Sequence, residues 1–345
     1  MKKSFYFIST IIILLTFSCS KKEEVVNESM GHVVPGTKCF VDKIEWRSTF
    51  EDNKHYKIYY NDENLISKIS NLDTAGVEDT LHYSECFYDK GKIQKIIYTH
   101  YENAGDVKIP RINIRSFEYF ENGLVKAVNI NAQESNMQSE LIKCVYTYDD
   151  AQEITSRVCK GTMGTVQMKD STVFVDYTGG RPTAVIEYET EKDASGNYSP
   201  WRMQNEYKYT YDQNANLIKK EFRRDTTQPF EIKYTATYDL NQPNPIAEIL
   251  HIIDEITLSW HENPNMHTRD IDKNFRTSLN HYVMYSEKGP DGKRKTVSAI
   301  QTDSLTASTK NDQGLVTYKE YTHKLNNGKN DFNEQSSIKI NYICK

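Results

Sequence analysis

Residues 209–221 read YTYDQNANLIKKE, and close variants of this stretch return along the whole chain. Tyr207, Tyr209 and Tyr211 alternate with other residues, a spacing that places side chains on one face of a β-strand. Asp212 and the asparagines behind it supply turn chemistry, because they cap the local backbone and tolerate positive φ. An aliphatic pair then leads away from the turn. The stretch predicts a β-hairpin with a loop of about three to five residues.

The hairpin motif repeats with a period near 30 residues. Further copies lie at 59–65, 87–93, 119–124, 146–154, 175–181 and 234–239, with looser ones at 282–289 and 311–315. An aspartate marks the same point in many copies: Asp62, Asp89, Asp149, Asp212, Asp239 and Asp312. Calcium needs about six oxygens that converge from one loop, and these aspartates are too sparse for that. We interpret them as turn caps.

The repeats predict an all-β fold built as one large antiparallel meander, because consecutive hairpins usually pair with their neighbours. We expect a single domain over residues 37–345 with roughly 16–20 strands, coiled as an open sheet or curled into a half-barrel. The pattern breaks in an irregular insertion at about 240–281. Within it the apolar residues follow helical spacing and predict one short helix near 245–258: Ile246, Ile249, Leu250, Ile253 and Ile256.

The amino terminus resembles that of a bacterial lipoprotein. A lysine pair and an apolar run lead to Thr-Phe-Ser-Cys, similar to a lipobox, which predicts a signal peptide over 1–18 and lipidation of Cys19. An ordinary secretory signal with an incidental cysteine is the alternative. Residues 19–36 read as a flexible tether, since charged segments without aromatics do not pack. Lys22, Glu23 and Glu24 resemble a surface-export signal, so we expect a lipid-anchored protein of the outer membrane, exposed at the cell surface.

The cysteines fit an oxidising exterior. With Cys19 lipidated, five remain, so at least one thiol stays unpaired or bonds to another chain. Two disulfides are candidates: Cys144 with Cys159, which flank one repeat, and Cys39 with Cys344, which would join the first and last strands. The register that decides the pairing is not fixed by sequence. No cysteine or histidine spacing indicates a metal site.

The repeated YxYDxxGxL motif, the Cys-Phe-Val-Asp-Lys-Ile start at residue 39, the Asn-Pro-Ile insertion and the leader together resemble one group of proteins. These are the YD-repeat-like surface lipoproteins of Bacteroidota, with a distant similarity to the YD repeats of Rhs-type shells. The likeness covers the chain from about Cys39 onward. It implies a β-repeat fold and supplies no activity, cofactor or site.

The function that the sequence favours is a non-enzymatic lipoprotein presenting a binding surface for a glycan or for an envelope or host protein. A net charge of −5 gives no basic patch for nucleic acid. No nucleophile or cofactor motif is marked by spacing. The ligand-binding candidates are residues suited to stacking on sugars or to loop contacts: Trp46, Trp201, Trp260, His261 and His267. A glycan-active hydrolase and an apolar-ligand carrier using the concave sheet are the alternatives.

Overall fold

The structure is a computed structural model. It describes residues 39–49, 53–73, 75–104, 107–134, 140–163, 166–178, 181–192, 195–224, 226–245, 249, 274–288, 294–326 and 331–344. The signal peptide, Cys19 and the tether lie outside the described residues, as do Lys22, Glu23 and Glu24.

The described chain forms one 18-stranded antiparallel sheet. The strands are β1 (Cys39–Ser48), β2 (Lys54–Tyr60), β3 (Ile66–Leu72), β4 (Glu78–Asp89), β5 (Lys92–Ala104), β6 (Val107–Tyr119), β7 (Val125–Glu134), β8 (Glu140–Tyr148), β9 (Ile154–Met163), β10 (Val166–Thr178), β11 (Arg181–Glu191), β12 (Arg202–Tyr211), β13 (Leu217–Arg223), β14 (Glu231–Pro243), β15 (Asn274–Lys288), β16 (Arg294–Lys310), β17 (Val316–Asn326) and β18 (Asp331–Cys344). Each strand pairs with its neighbours in sequence, as the repeats predict.

The sheet closes into a barrel, so the expected open sheet or half-barrel is wrong. β1 pairs with β18 in an antiparallel register that runs from Cys39 opposite Cys344 to Ser48 opposite Ser336. Closure satisfies the backbone groups that two open edges would leave unpaired. Almost all of the stretch predicted as a helix near 245–258 lies outside the described residues, whose named elements are all strands. Of the apolar residues in that stretch only Ile249 is described, and it is buried.

The two ends of the barrel differ. At one end, here called the turn end, lie the motif turns together with Cys39 and Cys344, where β1 begins and β18 finishes. The insertion between Pro243 and Asn274 also emerges there. It is shorter than predicted, because β15 begins at Asn274, inside the range of about 240–281 that the sequence assigns to the insertion. At the opposite end, the loop end, lie the remaining connections, including 192–201 between β11 and β12.

The motif turns cap themselves. In the β12–β13 turn, Asp212 Oδ1 accepts the N–H groups of Asn214 and Asn216 at 2.9 Å each. Ala215 takes a φ of 61°, which gives the three-residue hairpin loop with a left-handed residue. The same capping occurs at Asp149, so turn capping is confirmed for Asp149 and Asp212. In two copies the cap is one residue earlier than the sequence marks it, at Asn61 and Asn311 rather than Asp62 and Asp312.

The barrel interior is apolar toward the turn end. One cluster of buried residues gathers there, including Ile44, Ile69, Ile96, Ile340 and Ile249 from the insertion. A second contains Cys144, Tyr146 and Cys159, and a third contains Phe174, Val185 and Tyr209. Alternation along each strand then fixes the other face as the outer wall of the barrel.

Tyrosines of the motif join successive hairpins at the turn end. Each donates its hydroxyl to a backbone carbonyl one hairpin back: Tyr60 to Val41, Tyr119 to Ile93, Tyr148 to Val125, Tyr177 to Ile154, Tyr211 to Pro182, Tyr238 to Leu217, Tyr321 to Arg276 and Tyr342 to Val316. Burial raises the pKa of Tyr119 to about 12, which keeps it a donor at neutral pH. The recurring tyrosine is therefore part of the scaffold.

Disulfides join both candidate cysteine pairs. Cys39 and Cys344 are bonded across the seam between β1 and β18. Cys144 and Cys159 are directly opposite in the β8–β9 register and are bonded inside the barrel. Cys86 is buried and takes part in neither disulfide.

Candidate functional site

The outer wall carries pairs of oppositely charged side chains. Lys68 Nζ lies 2.6 Å from Glu78 Oε1, and Lys143 Nζ lies 2.7 Å from Glu118 Oε1. Further pairs on this wall are Lys57 with Asp42, Lys219 with Glu221, Arg223 with Glu206 and Lys339 with Glu45. These positions alternate with the buried ones, so they point away from the interior.

Glu78 shows how well these pairs are formed. It accepts hydrogen bonds from Lys68 Nζ and Ser70 Oγ at 2.6 Å each and from the Tyr59 hydroxyl at 2.8 Å. The Lys68 hydrogen bond is the largest of the effects that lower the pKa of Glu78 to about 2. The carboxylate is therefore ionised across the physiological range.

An exposed aromatic group sits at the loop end, and we call it the Trp201 platform. It comprises Tyr198 and Trp201, each 42% exposed, and the lysines beside them, Lys169 and Lys192. Lys169 Nζ lies 4.6 Å from the Trp201 ring centroid and 5.5 Å from that of Tyr198. Lys192 Nζ lies 5.8 Å from the Tyr198 ring. Aromatic faces flanked by cations present an apolar surface with polar hydrogen-bond donors at its rim.

The platform stands on a braced loop. Lys192 and Tyr198 form an isolated antiparallel bridge, which closes the loop between β11 and β12. Thr190 and Ser199 add a hydroxyl contact at 3.1 Å. Arg202, the residue after Trp201, pairs with Glu189. These contacts hold both rings in place before any ligand arrives, which lowers the entropy cost of binding.

The other aromatic and histidine candidates lie elsewhere. Trp46 is half-buried and packs against the apolar cluster inside the barrel. Trp260, His261 and His267 lie outside the described residues. The structure therefore separates Trp201 from Trp46, and the site at the loop end instead gains Tyr198, Lys169 and Lys192. The sequence did not single these three out, because only the fold brings β10 beside the β11–β12 loop.

The inner wall also carries buried polar side chains. Arg157 is buried and donates to Thr172 Oγ1 at 2.9 Å. Glu187 is buried and accepts from Asn205 Nδ2 at 2.7 Å. These residues share the inward face with the apolar clusters by strand alternation. The interior thus combines apolar clusters with buried, hydrogen-bonded polar groups.

One buried cation is left unpaired by the described structure. Lys319 is fully buried, and its Nζ has no hydrogen-bond partner among the described residues. It lies 4.2 Å from the Phe275 ring centroid. Burial lowers the pKa of Lys319 to about 8.

A second feature of the inner wall is a chain of hydrogen bonds across β16, β17 and β18. His323 Nδ1 lies 2.7 Å from Asp303 Oδ1, and His323 Nε2 lies 2.6 Å from Ser336 Oγ. The sequence did not mark these residues, because no motif surrounds the serine. The signal that could have found them is the register, which places His323 opposite both Asp303 and Glu334.

Within the described ranges, no cluster of three or more histidine, cysteine or acidic side chains could hold a metal ion. The same part of the chain contains no helix that is long and apolar enough to cross a membrane.

No family model matches this chain, and no curated protein matches it. Two solved structures are similar in outline. A porin-like protein from Bacteroides uniformis has 14% identity and a TM-score of 0.43, with 88% of this chain and 98% of that chain covered. A porin-like protein from Bacteroides vulgatus has 13% identity and a TM-score of 0.29 over the same shares. Similarity at these TM-scores does not establish the fold or the function of this chain. The barrel is defined by the pairing of β1 with β18 described above.

Proposed function

We propose that this protein is an outer-membrane protein attached by a lipid anchor. Its barrel lies outside the bilayer, in water, and binds glycan at the Trp201 platform. The single observation that carries the binding function is the exposed pair of rings at the loop end, flanked by lysines. Sugar rings present apolar C–H faces that stack on aromatic side chains, while their hydroxyls accept hydrogen bonds from cations. A protein partner is the other outcome of the test.

The outer wall supports an anchored barrel rather than a spanning one. A barrel that crosses a membrane needs an outward apolar band about 25 Å tall, and a lysine at its midplane costs about 2–4 kcal/mol. Here Lys143 lies near the middle of β8 on the outer wall, Lys68 and Lys219 lie nearer the turn end, and all three pair with carboxylates. Attachment through lipid on Cys19 would require no apolar wall.

The position of the amino terminus supports the orientation. Residue 39 opens β1 at the turn end, so a tether from Cys19 would hold that end nearest the membrane. The Trp201 platform would then face outward. Surface export through Lys22, Glu23 and Glu24, and membership of the YD-repeat-like lipoproteins, belong to the same proposal.

A glycan array with the chain from residue 20 onward tests the binding function. We expect at least one glycan class to bind, and Trp201→Ala to weaken that binding by about tenfold or more, equivalent to 1.4 kcal/mol. Phe120→Ala is the matched control, since Phe120 is similarly exposed but lies at the turn end. A pull-down of envelope proteins that Trp201→Ala abolishes would point to a protein partner instead. Equal glycan binding by the wild type and Trp201→Ala would contradict the platform.

A further inference from the structure

We propose that Ser336, His323 and Asp303 form a nucleophilic centre that hydrolyses small neutral carboxylic esters inside the barrel. This activity is independent of the Trp201 platform and departs from the non-enzymatic function that the sequence favours.

The three residues occupy adjacent strands and the same face. Asp303 on β16 is directly opposite His323 on β17, and Ser336 on β18 is opposite Tyr321, two residues from His323. Ser336 shares its face with Ile338 and Ile340, which are buried in the apolar cluster. All three side chains therefore point into the barrel, and a closed sheet fixes their spacing.

One neutral tautomer of His323 satisfies both hydrogen bonds. With the proton on Nδ1, that nitrogen donates to Asp303 Oδ1 at 2.7 Å. Nε2 is then free to accept the Ser336 hydroxyl proton at 2.6 Å. Gln301 Nε2 donates to the same Asp303 oxygen at 3.1 Å, which fixes the carboxylate. This is the order of nucleophile, base and orienting acid that activates a serine.

The reaction follows from these contacts. Ser336 Oγ attacks the ester carbonyl carbon while its proton passes to His323 Nε2. The C–O bond to the alcohol breaks, and the alcohol leaves with the proton from Nε2, so an acyl-serine ester remains. Water then attacks this ester, gives its proton to Nε2, and the acid leaves as Ser336 regains the proton. No oxidant, reductant or metal is needed.

The surroundings limit the substrate. Ser336 is only 5% exposed, so a small acyl group fits the site better than a long chain. Glu334 lies opposite His323 on β18, and its Oε2 has no hydrogen-bond partner among the described residues. Two carboxylates beside the serine disfavour an anionic ester. A short neutral ester, such as an acetyl group on a polar alcohol, meets both conditions.

A fluorophosphonate probe tests the centre directly. The probe forms a P–O bond to an activated serine and releases fluoride, and peptide mass spectrometry locates the adduct. We expect the adduct on Ser336 in the wild-type chain with both disulfides intact, and turnover of 4-nitrophenyl acetate that Ser336→Ala abolishes. His323→Gln should slow labelling by about 100-fold, as the loss of a general base does. Ser337→Ala is the control, because Ser337 is adjacent to Ser336 in the chain but faces the outer wall.

Measurements on the wild-type chain alone can overturn the proposal. If the folded wild-type chain shows no adduct on Ser336, or labelling spread over serines in proportion to their exposure, the centre is only a structural network. Equal labelling rates in the wild type and His323→Gln would overturn it as well.

Discussion

The hydroxyl of Tyr148 donates a hydrogen bond of 2.7 Å to the backbone carbonyl of Val125, one hairpin earlier in the chain. Equivalent bonds recur around the turn end, for example from Tyr119 to Ile93. Val125 is on β7 and Tyr148 on β8, and the backbone register of this strand pair stops at Ala127 opposite Val145, so the bond lies just beyond it. The motif tyrosine thus links successive hairpins at the turn end.

Replacing Tyr148 by phenylalanine removes one of these bonds and leaves the Val125 carbonyl without its side-chain donor. We expect the free energy of unfolding to fall by about 1–2 kcal/mol. Urea unfolding followed by circular dichroism measures it. Tyr83→Phe is the control, because Tyr83 lies on the outer wall and its hydroxyl makes no hydrogen bond within the described residues. Equal losses in both variants would mean that the bond to Val125 contributes nothing.

The seam disulfide should matter more than the hairpin disulfide. Cys39 and Cys344 are 305 residues apart, whereas Cys144 and Cys159 are 15 apart. In the chain-entropy account a loop of 15 residues contributes about 3 kcal/mol, and one of several hundred residues contributes between about 5 and 6. Unfolding of the two paired serine variants measures the difference. A larger loss from the Cys144→Ser/Cys159→Ser variant would contradict this ranking.

Lys319 should make stability depend on pH. Its pKa in the folded protein is about 8, below the ordinary value of 10.5, so the unfolded chain holds the proton more tightly. Stability therefore rises as pH increases from about 8 to 10.5. Lys319→Met keeps the packed stem without the charge. We expect it to be more stable than the wild type by about 2 kcal/mol at pH 7, with the gain shrinking toward pH 10.

Lys160→Met is the control for that experiment, since Lys160 is exposed on the outer wall. Its effect on unfolding should be small. A constant difference between Lys319→Met and the wild type across pH 7–10 would show that Lys319 does not titrate as its burial implies.

Gly161 should not tolerate a side chain. A Cβ there would lie 2.4 Å from the Leu141 carbonyl oxygen and 2.6 Å from Ile142 Cγ1. Gly161→Ala forces the β8–β9 pair apart beside the disulfide, and we expect a loss of about 1–3 kcal/mol. Thr162→Ala, the next residue, provides the comparison. A Gly161→Ala variant with wild-type thermal unfolding would mean that this strand pair adjusts without strain.

The sequence predicts the repeating hairpin well because that information is local. Tyrosine alternation, the capping aspartate and the aliphatic return all act within about a dozen residues, and the strands follow them. Closure is different, because it depends on the pairing of Cys39 with Cys344 across the full length of the chain. Nothing in a single repeat states whether the ends of the sheet will meet.

The candidate sites show the same limit. Trp201 stands out by residue type alone, but Lys169 joins it only through the β10–β11 register. Ser336 and His323 carry no motif, and their contact depends on strand register in a part of the barrel without a local signal. The sequence therefore indicates the Trp201 ring, but it does not indicate which side chains the fold brings into contact.

The central claim is tested most directly by whether the barrel without its lipid is folded and soluble in the absence of detergent. The chain from residue 20 onward, expressed in an oxidising compartment and purified without detergent, is separated with Triton X-114. We predict that it stays in the aqueous phase as a folded β-protein with both disulfides formed, because its outer wall carries paired lysines and carboxylates. Partition into the detergent phase, or folding only when detergent is present, would contradict the account.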